Sequence, residues 1–154
     1  MEGSMMDIIF DIDGTLLNIE HRVPLIRPTN GAKKDWKAFR DAAYNDTPNM
    51  EIIAIARAMS SAGHRIIICT GRMEKERAVT TNSLRGLYLP LYAIPIYMRP
   101  NDDVRPDHVI KLEMLAKLRV DGFNPTLVFD DRQQVVDMWR AQGLRVCQVA
   151  PGDF

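Results

Sequence analysis

The chain has 154 residues, a formal net charge of zero and a composition ordinary for a folded domain. A neutral chain has no global field that draws it onto nucleic acid or membrane, so any such attraction has to come from a local patch. No apolar stretch approaches the roughly 18 residues that a spanning helix needs, and no secretory apolar segment follows the first Met, which points to a cytoplasmic protein without membrane attachment.

The length predicts a single domain over 1–154. Glu2-Gly3-Ser4-Met5 reads as a ragged start or expression scar and is set aside. The first strand is predicted at Met6–Phe10, an apolar run that ends in Asp11-Ile12-Asp13-Gly14-Thr15. Side chains two apart on a strand point the same way, so Asp11 and Asp13 are expected to project together. Two such carboxylates repel unless a divalent cation, a lysine or a shared proton relieves them, and chains tolerate that mainly where chemistry needs it. An Asp-x-Asp at a strand end is also an ordinary turn opener, so the pair alone decides nothing.

A segment too long for a simple connection follows, a short helical insert at about 18–47. It places Trp36, Phe39 and Ala43 at helical spacing, and from Arg22 to Arg40 it carries Arg22, Arg27, Lys33, Lys34, Lys37 and Arg40 against one acid, Asp35. Basic side chains interleaved with rings grip single strands, charge tracking the backbone and rings stacking on bases. The same pattern also describes an amphipathic helix with a solvated basic face. Both readings stay open.

Thr47 or Asn49 is expected to cap a helix with Pro48 near its first turn, running to Ser61 and closed by Gly63. A strand at Arg65–Cys69 ends in Thr70-Gly71-Arg72, and a helix from Glu74 to Leu89 is stopped by Pro90. A strand at Ile94–Met98, a helix from Asp107 to Arg119 with Lys111 in its first turns, and a strand at Thr126–Phe129 ending in Asp130-Asp131 come next. A helix from Arg132 to Gln142, closed by Gly143, and a strand at Leu144–Val149 complete the pattern. Strands separated by helices predict an α/β fold, a doubly wound five-stranded parallel sheet with its site at the C-terminal strand ends. Cys69 and Cys147 sit in strand runs and read as buried free thiols. His21, His64 and His108 lack partners at ligand spacing and read as structural or surface groups, and Met138 and Trp139 as helix packing.

Carboxylates from two strand ends make a hard oxygen site for Mg²⁺, and Thr70 with Lys111 makes a phosphate site. Taken in order, Asp-x-Asp-Gly-Thr, Thr-Gly-Arg, a helix lysine and Asp-Asp resemble the haloacid dehalogenase superfamily. Within it, Phe129 to Arg140, the tail Gln148 to Phe154, Arg22 nine residues beyond Asp13, and the Asp107/Lys111 pair resemble the phosphatase domain of bacteriophage polynucleotide kinase-phosphatase. The resemblance implies a haloacid-dehalogenase-like Rossmannoid with minimal or no cap domain. It implies Mg²⁺-dependent removal of 3'-phosphates, and action on 2',3'-cyclic phosphates, at nucleic acid ends. It assigns Asp11 as a nucleophile that forms an aspartyl-phosphate, and Asp13 as acid and base. Asp11, Asp130 and Asp131 with the Asp13 carbonyl are to hold the metal. Thr70, Gly71 and Lys111 are to bind phosphate, Asp107 to orient Lys111, and Arg22 and Arg72 to clamp the phosphate or backbone; the insert adds Lys34 and Lys37 as substrate contacts. Implied partners are RNA or DNA 3' ends and kinase or ligase repair proteins, with a location in the host cytoplasm if the gene is a phage's. Self-association, known among related phage enzymes, stays open. No Gly-x-x-x-x-Gly-Lys-Ser/Thr occurs, so the kinase phosphate loop is absent and the chain is a free-standing phosphatase or a piece of a longer one. The alternatives are a nucleotide or sugar-phosphate phosphatase of the same superfamily and a non-catalytic adaptor.

Overall fold

The computed structural model describes residues 3–154, so the expectation for Glu2 lies outside them. Five strands, β1 (Asp7–Phe10), β4 (Arg65–Met73), β5 (Ile96–Arg99), β6 (Pro125–Asp130) and β7 (Arg145–Gln148), form one parallel sheet in the order β5-β4-β1-β6-β7. The chain winds outward from β1 on one side, then returns to wind outward on the other. The topological switch therefore lies at β1, where ligands bind in such sheets.

Strand parity explains the two-sided core. Ile8 and Phe10 point to one face and pack with Ile53 and Ala56 of α2 (Met50–Ser61) and Leu84 of α3 (Arg77–Arg85). Ile9 points to the other, against Ile110 and Leu115 of α4 (Asp107–Val120) and Val135 and Trp139 of α5 (Gln133–Ala141). Between β1 and α2 the insert forms α1 (Trp36–Asp41), flanked by short 3-10 turns. It also contributes two-residue strands, β2 (Leu17–Asn18) and β3 (Thr47–Pro48), paired antiparallel. Ile19, Ile26 and Phe39 give the insert a small core of its own.

Several local expectations are corrected. Pro48 sits in β3 rather than in a helix turn; Asn49 does occupy the N-cap position of α2, but without a capping side-chain bond, its Nδ2 donating to Thr15 O at 2.9 Å instead. The predicted helix over 74–89 is a 3-10 turn at Glu74–Glu76 followed by α3, which ends before Gly86 rather than at Pro90. Ala43 lies in a 3-10 turn beyond α1. Cys69 is buried but Cys147 is exposed, because β7 is the sheet's edge strand. No helix among the described residues is long and apolar enough to cross a membrane.

Candidate active site

The Asp11 N–H donates to Phe129 O at 3.0 Å, so β1's ladder runs on to Asp11 and parity puts its side chain on the Ile9 side, under α4. There Lys111 Nζ donates to Asp11 Oδ1 at 2.8 Å and to Asp130 Oδ2 at 2.9 Å, bridging residues 100 and 19 positions away in sequence. Asp107, one turn before Lys111 on α4, stands 3.8 Å from the same ammonium. Trp139 Nε1–H donates to Asp130 Oδ2 at 3.1 Å, so a ring at the centre of the core also fixes a site carboxylate. The Thr15 hydroxyl lies 3.3 Å from Asp11 Oδ2.

Asp131 completes a cluster: one oxygen each from Asp11, Asp130 and Asp131 lie within 4.8 Å of one another, all three residues buried. Lys111 is the only cation in ion-pair reach of these three carboxylates among the described residues. Burial pushes the Asp11 carboxyl well up, Lys111 opposing and Asp130 and Asp131 adding to it. Burial and the Asp130 charge push Asp131 up to about 7. Burial works against the Lys111 charge, but Asp11, Asp130 and Asp107 outweigh it and hold the ammonium protonated. Three carboxylate oxygen donors with only one ammonium among them suit a hard divalent cation such as Mg²⁺, so the residues fit the metal.

Asp13 has a different neighbourhood. Arg22 Nη2 donates to Asp13 Oδ1 at 2.8 Å and to Asp46 Oδ2 at 2.6 Å, and its Nε donates to Asp46 Oδ1 at 2.8 Å. Arg72 Nη2 donates to Asp13 Oδ1 at 2.7 Å and reaches Asp46 Oδ2 at 3.3 Å. Burial works against the Asp13 charge, but the two guanidiniums outweigh it and hold the carboxyl below its ordinary range. Asp11 and Asp13 thus share one cavity without sharing a counter-ion. The sequence offered a cation, a lysine or a proton for the pair; the fold gives Lys111 to one and two arginines to the other. Arg22 and Arg72, expected on substrate, hold Asp13 and Asp46 in this structure, and Arg22 is only 1% exposed.

A cavity of about 500 Å³ opens over Asp11, Asp13, Asp130 and Asp131. The insert supplies one wall through Trp36, Phe39 and Arg40; Gly71 and Arg72 supply another, and His108 and Arg132 a third. Thr70 and Lys111 are not among its lining residues. The Thr70 hydroxyl accepts from Arg72 N at 3.2 Å, which leaves its proton to donate. Gly71 has no room for a side chain: a Cβ there would fall 2.6 Å from Asp107 Oδ1. Lys34 and Lys37 are exposed outside the cavity, Lys37 paired with Asp41. Among the histidines, His21 contacts Asp46 at 2.8 Å, His64 Nδ1 accepts from Met6 N, and His108 lines the cavity with its Nδ1 2.8 Å from the Gln134 amide.

The sequence reading missed Asp46, the carboxylate that holds both arginines, and Arg99, whose Nε donates to Gly71 O at 2.9 Å and whose Nη2 reaches Asp107 Oδ1 at 3.2 Å. Asp46, after a 3-10 turn, lies in no periodic pattern or strand-end motif, whereas Arg99 closes β5 and follows the predicted strand directly, so the strand-end position that marks Asp11 and Asp130 was a signal for it too.

Residues 6–154 match the family described as the polynucleotide kinase PNKP phosphatase domain. The chain belongs to that family. The five-stranded parallel sheet with the Asp11, Asp130 and Asp131 cluster at its switch point is accordingly a haloacid-dehalogenase-type phosphohydrolase fold. The chain is 29% identical to a protein in the "Structure of Pnkp1/Rnl/Hen1 complex", with a TM-score of 0.78 over 98% of this chain and 48% of that one. In the "Structure of the Pnkp1/Rnl/Hen1 RNA repair complex" the figures are 28%, 0.75, 97% and 44%. A protein of Autographa californica nuclear polyhedrosis virus named "Putative bifunctional polynucleotide kinase/RNA ligase" is 27% identical over 86% of this chain. This PNKP phosphatase domain spans 17% of the viral protein's length and less than half of either structural relative. That virus is a baculovirus, so the phage origin suggested by the motif resemblance gains no support from it.

Proposed function

We propose that this PNKP-family phosphatase domain removes 3'-phosphates from nucleic acid ends with Mg²⁺, as a single domain over 1–154. The observation that carries the reading is Asp11 locked by Lys111 beside Asp130 and Asp131 on the floor of a cavity with an aromatic and basic wall. In this mechanism an Asp11 carboxylate oxygen attacks phosphorus, the P–O3' bond breaks, and the departing oxygen takes the Asp13 proton. Water then attacks phosphorus of the aspartyl-phosphate, giving up its proton to Asp13 and restoring Asp11 with release of inorganic phosphate. Asp13 starts ionised between Arg22 and Arg72. A phosphate dianion beside it competes for the same guanidinium donors and favours protonation of Asp13, so the acid is loaded as substrate binds. Lys111 fixes the rotation of Asp11 and is itself oriented by Asp107, and Thr70 and the Gly71 backbone border the phosphate. Asp11, Asp130 and Asp131, with the Asp13 carbonyl, would hold Mg²⁺, which would supply neutralisation of charge at the phosphoryl oxygens. Lys34 and Lys37 meet only a strand that continues past the cavity. Kinase and ligase partners are the ones the names of the relatives support.

The test is Mg²⁺-dependent phosphate release from matched 3'-phosphorylated oligonucleotide, 5'-phosphorylated oligonucleotide and mononucleotide. Preference for the 3'-phosphorylated strand, with affinity falling steeply as salt rises, is the expected result. Preference for free mononucleotides would make this a small-molecule phosphatase, and absence of turnover on all three would leave an adaptor.

A further inference from the structure

The wall formed by α1 holds two groups that the chemistry at Asp11 does not use. Trp36 and Arg40 are four residues apart on one helix, hence on one face, and both line the cavity that contains Asp11 and Asp13. Trp36 is 39% exposed, whereas the chain's other tryptophan, Trp139, is fully buried. Phe39 stands edge-on to the indole, with ring centroids 5.7 Å apart at 82°. Phe39 itself is buried beneath the Arg22 guanidinium, 4.1 Å from its ring, so the exposed indole rests on a fixed base tied to the site. Lys34 and Arg132 each stand 5.8 Å from the Trp36 centroid, the outer edge of cation–π contact, and leave the ring open to a tighter partner.

Each of the cavity's other arginines already has a protein partner, and in the proposed mechanism Arg22 and Arg72 face the phosphate at Asp11 rather than the rest of a strand. Arg22 and Arg72 hold Asp13 and Asp46, Arg99 holds Gly71 O and Asp107, Arg105 holds Asp103 and Glu113, and Arg132 donates to Phe154 O. Arg40 makes no side-chain hydrogen bond or ion pair to any described residue, and it is exposed. An exposed ring with an unspent guanidinium one turn away, beside a phosphate-processing floor, matches the three parts of a strand end: terminal phosphate, base and next phosphate.

Resting on the function proposed above, we infer that Trp36 stacks on the base of the 3'-terminal nucleotide and Arg40 pairs with the phosphate on that nucleotide's 5' side. The pair measures the end of a single strand, and α1 rather than the outer lysines sets substrate choice. A flat ring accepts any base, so the recognition is by presence of a base and not by its identity.

The experiment uses four substrates: a 3'-phosphorylated oligonucleotide, the same strand with an abasic terminal nucleotide, a 3'-phosphorylated dinucleotide and a nucleoside 3'-monophosphate. Trp36→Ala should raise KM for the base-bearing strand roughly 10–100-fold and nearly erase the wild-type preference for it over the abasic one, with Trp36→Phe recovering part of the loss. Arg40→Gln should cut the preference for the dinucleotide over the nucleoside monophosphate and lower the salt slope by about 0.7. In an Asp11→Asn background, adding the 3'-phosphorylated strand should quench tryptophan emission, and the added Trp36→Phe change should remove the quench. Trp36→Ala lowering both strand substrates equally, or a quench that survives Trp36→Phe, overturns the stacking role. Arg40→Gln affecting dinucleotide and monophosphate alike overturns the phosphate contact. A wild-type protein with no 3'-phosphate release from any of the four takes the proposed function down as well, whereas active wild type with indiscriminate variants removes this inference alone.

Discussion

Gly14→Ala should disable the candidate cation site without altering any residue that would hold the ion. Gly14 has φ +86, where an L side chain costs about 1–2 kcal/mol. A Cβ there would lie 2.1 Å from Asp131 Oδ2 and 2.5 Å from its Cγ, while ordinary contact begins at 3.4 Å. The carboxylate therefore has to retreat by about 1.3 Å. The Asp131 backbone cannot take up that shift: its carbonyl accepts from Gln148 Nε2 at 3.1 Å, and Gly152 packs so closely on it that a Cβ there would fall 2.3 Å from the same oxygen. The side chain must swing out of the Asp11, Asp130 and Asp131 cluster. Gly63→Ala is the matched control, with φ +88 and nothing within 4 Å of the added Cβ. Both variants should lose about 2–8 °C of melting temperature from backbone strain alone. Only Gly14→Ala should also weaken the Mg²⁺ midpoint about 10–100-fold and lower kcat on the order of 10²-fold. The assays are thermal melts and phosphate release across a Mg²⁺ titration. A Mg²⁺-induced rise in melting temperature that is the same in Gly14→Ala, Gly63→Ala and wild type refutes the reasoning.

Asp11→Asn should lower Mg²⁺-dependent phosphate release by roughly 10⁴-fold or more while far-UV circular dichroism stays that of wild type; substantial residual turnover in a clean preparation rules out attack by Asp11. Lys111→Met strips the buried Asp11 and Asp130 carboxylates of their common cation and should cost about 3–5 kcal/mol without metal, with Mg²⁺ restoring more stability to the variant than to wild type in parallel melts. At the opposite end of β1, burial works against the Asp7 charge, but Arg65 and the Asn124 N–H outweigh it and hold the carboxyl below its ordinary 3.8. A depressed folded value stabilises above the unfolded one and is lost as pH falls through it. The stability gap between wild type and Asp7→Asn should therefore be flat above about pH 5 and shrink below about pH 4, and a gap that widens toward acid contradicts the assignment.

The fold was legible because its signals are local. Apolar runs alternating with helix-length amphipathic stretches specify strands and helices one at a time, and the parallel winding follows from their order. The meeting of Asp11, Lys111 and Asp130 was legible for a related reason: each sits at or near a strand end or helix start, and a doubly wound sheet brings those ends together. The departures came where tertiary partners override local preference. Asn49 does stand at the N-cap of α2 as its sequence suggests, yet pairing of Thr47–Pro48 with Leu17–Asn18 takes Pro48 into a strand, and the Thr15 carbonyl engages the Asn49 amide that would have been free to cap. Asp46 follows a 3-10 turn with nothing to distinguish it from any loop carboxylate, and only the fold reveals two guanidiniums on it. The helical spacing of Trp139 indicates packing, and it does pack; the hydrogen bond of its indole N–H to Asp130 is a second role that hydrophobic spacing cannot encode.

The separation of Asp11 from Asp13 bears most directly on mechanism. Three carboxylates, those of Asp11, Asp130 and Asp131, face the single ammonium of Lys111, so that half of the site is short of positive charge. Two carboxylates, Asp13 and Asp46, face two guanidiniums, so the other half is balanced. The two aspartates of one motif are accordingly pushed in opposite directions, Asp11 upward and Asp13 downward. Opposed environments of this kind divide roles between like residues. The deficient half is ready for a cation, whose charge would keep Asp11 ionised for attack. The balanced half is sensitive to any new anion, because a phosphate drawing on Arg72 or Arg22 leaves Asp13 less reason to stay ionised. In the mechanism proposed above, substrate and cation would thus act on the two halves with opposite sign, and the loading of Asp13 would depend on the arrival of the phosphate.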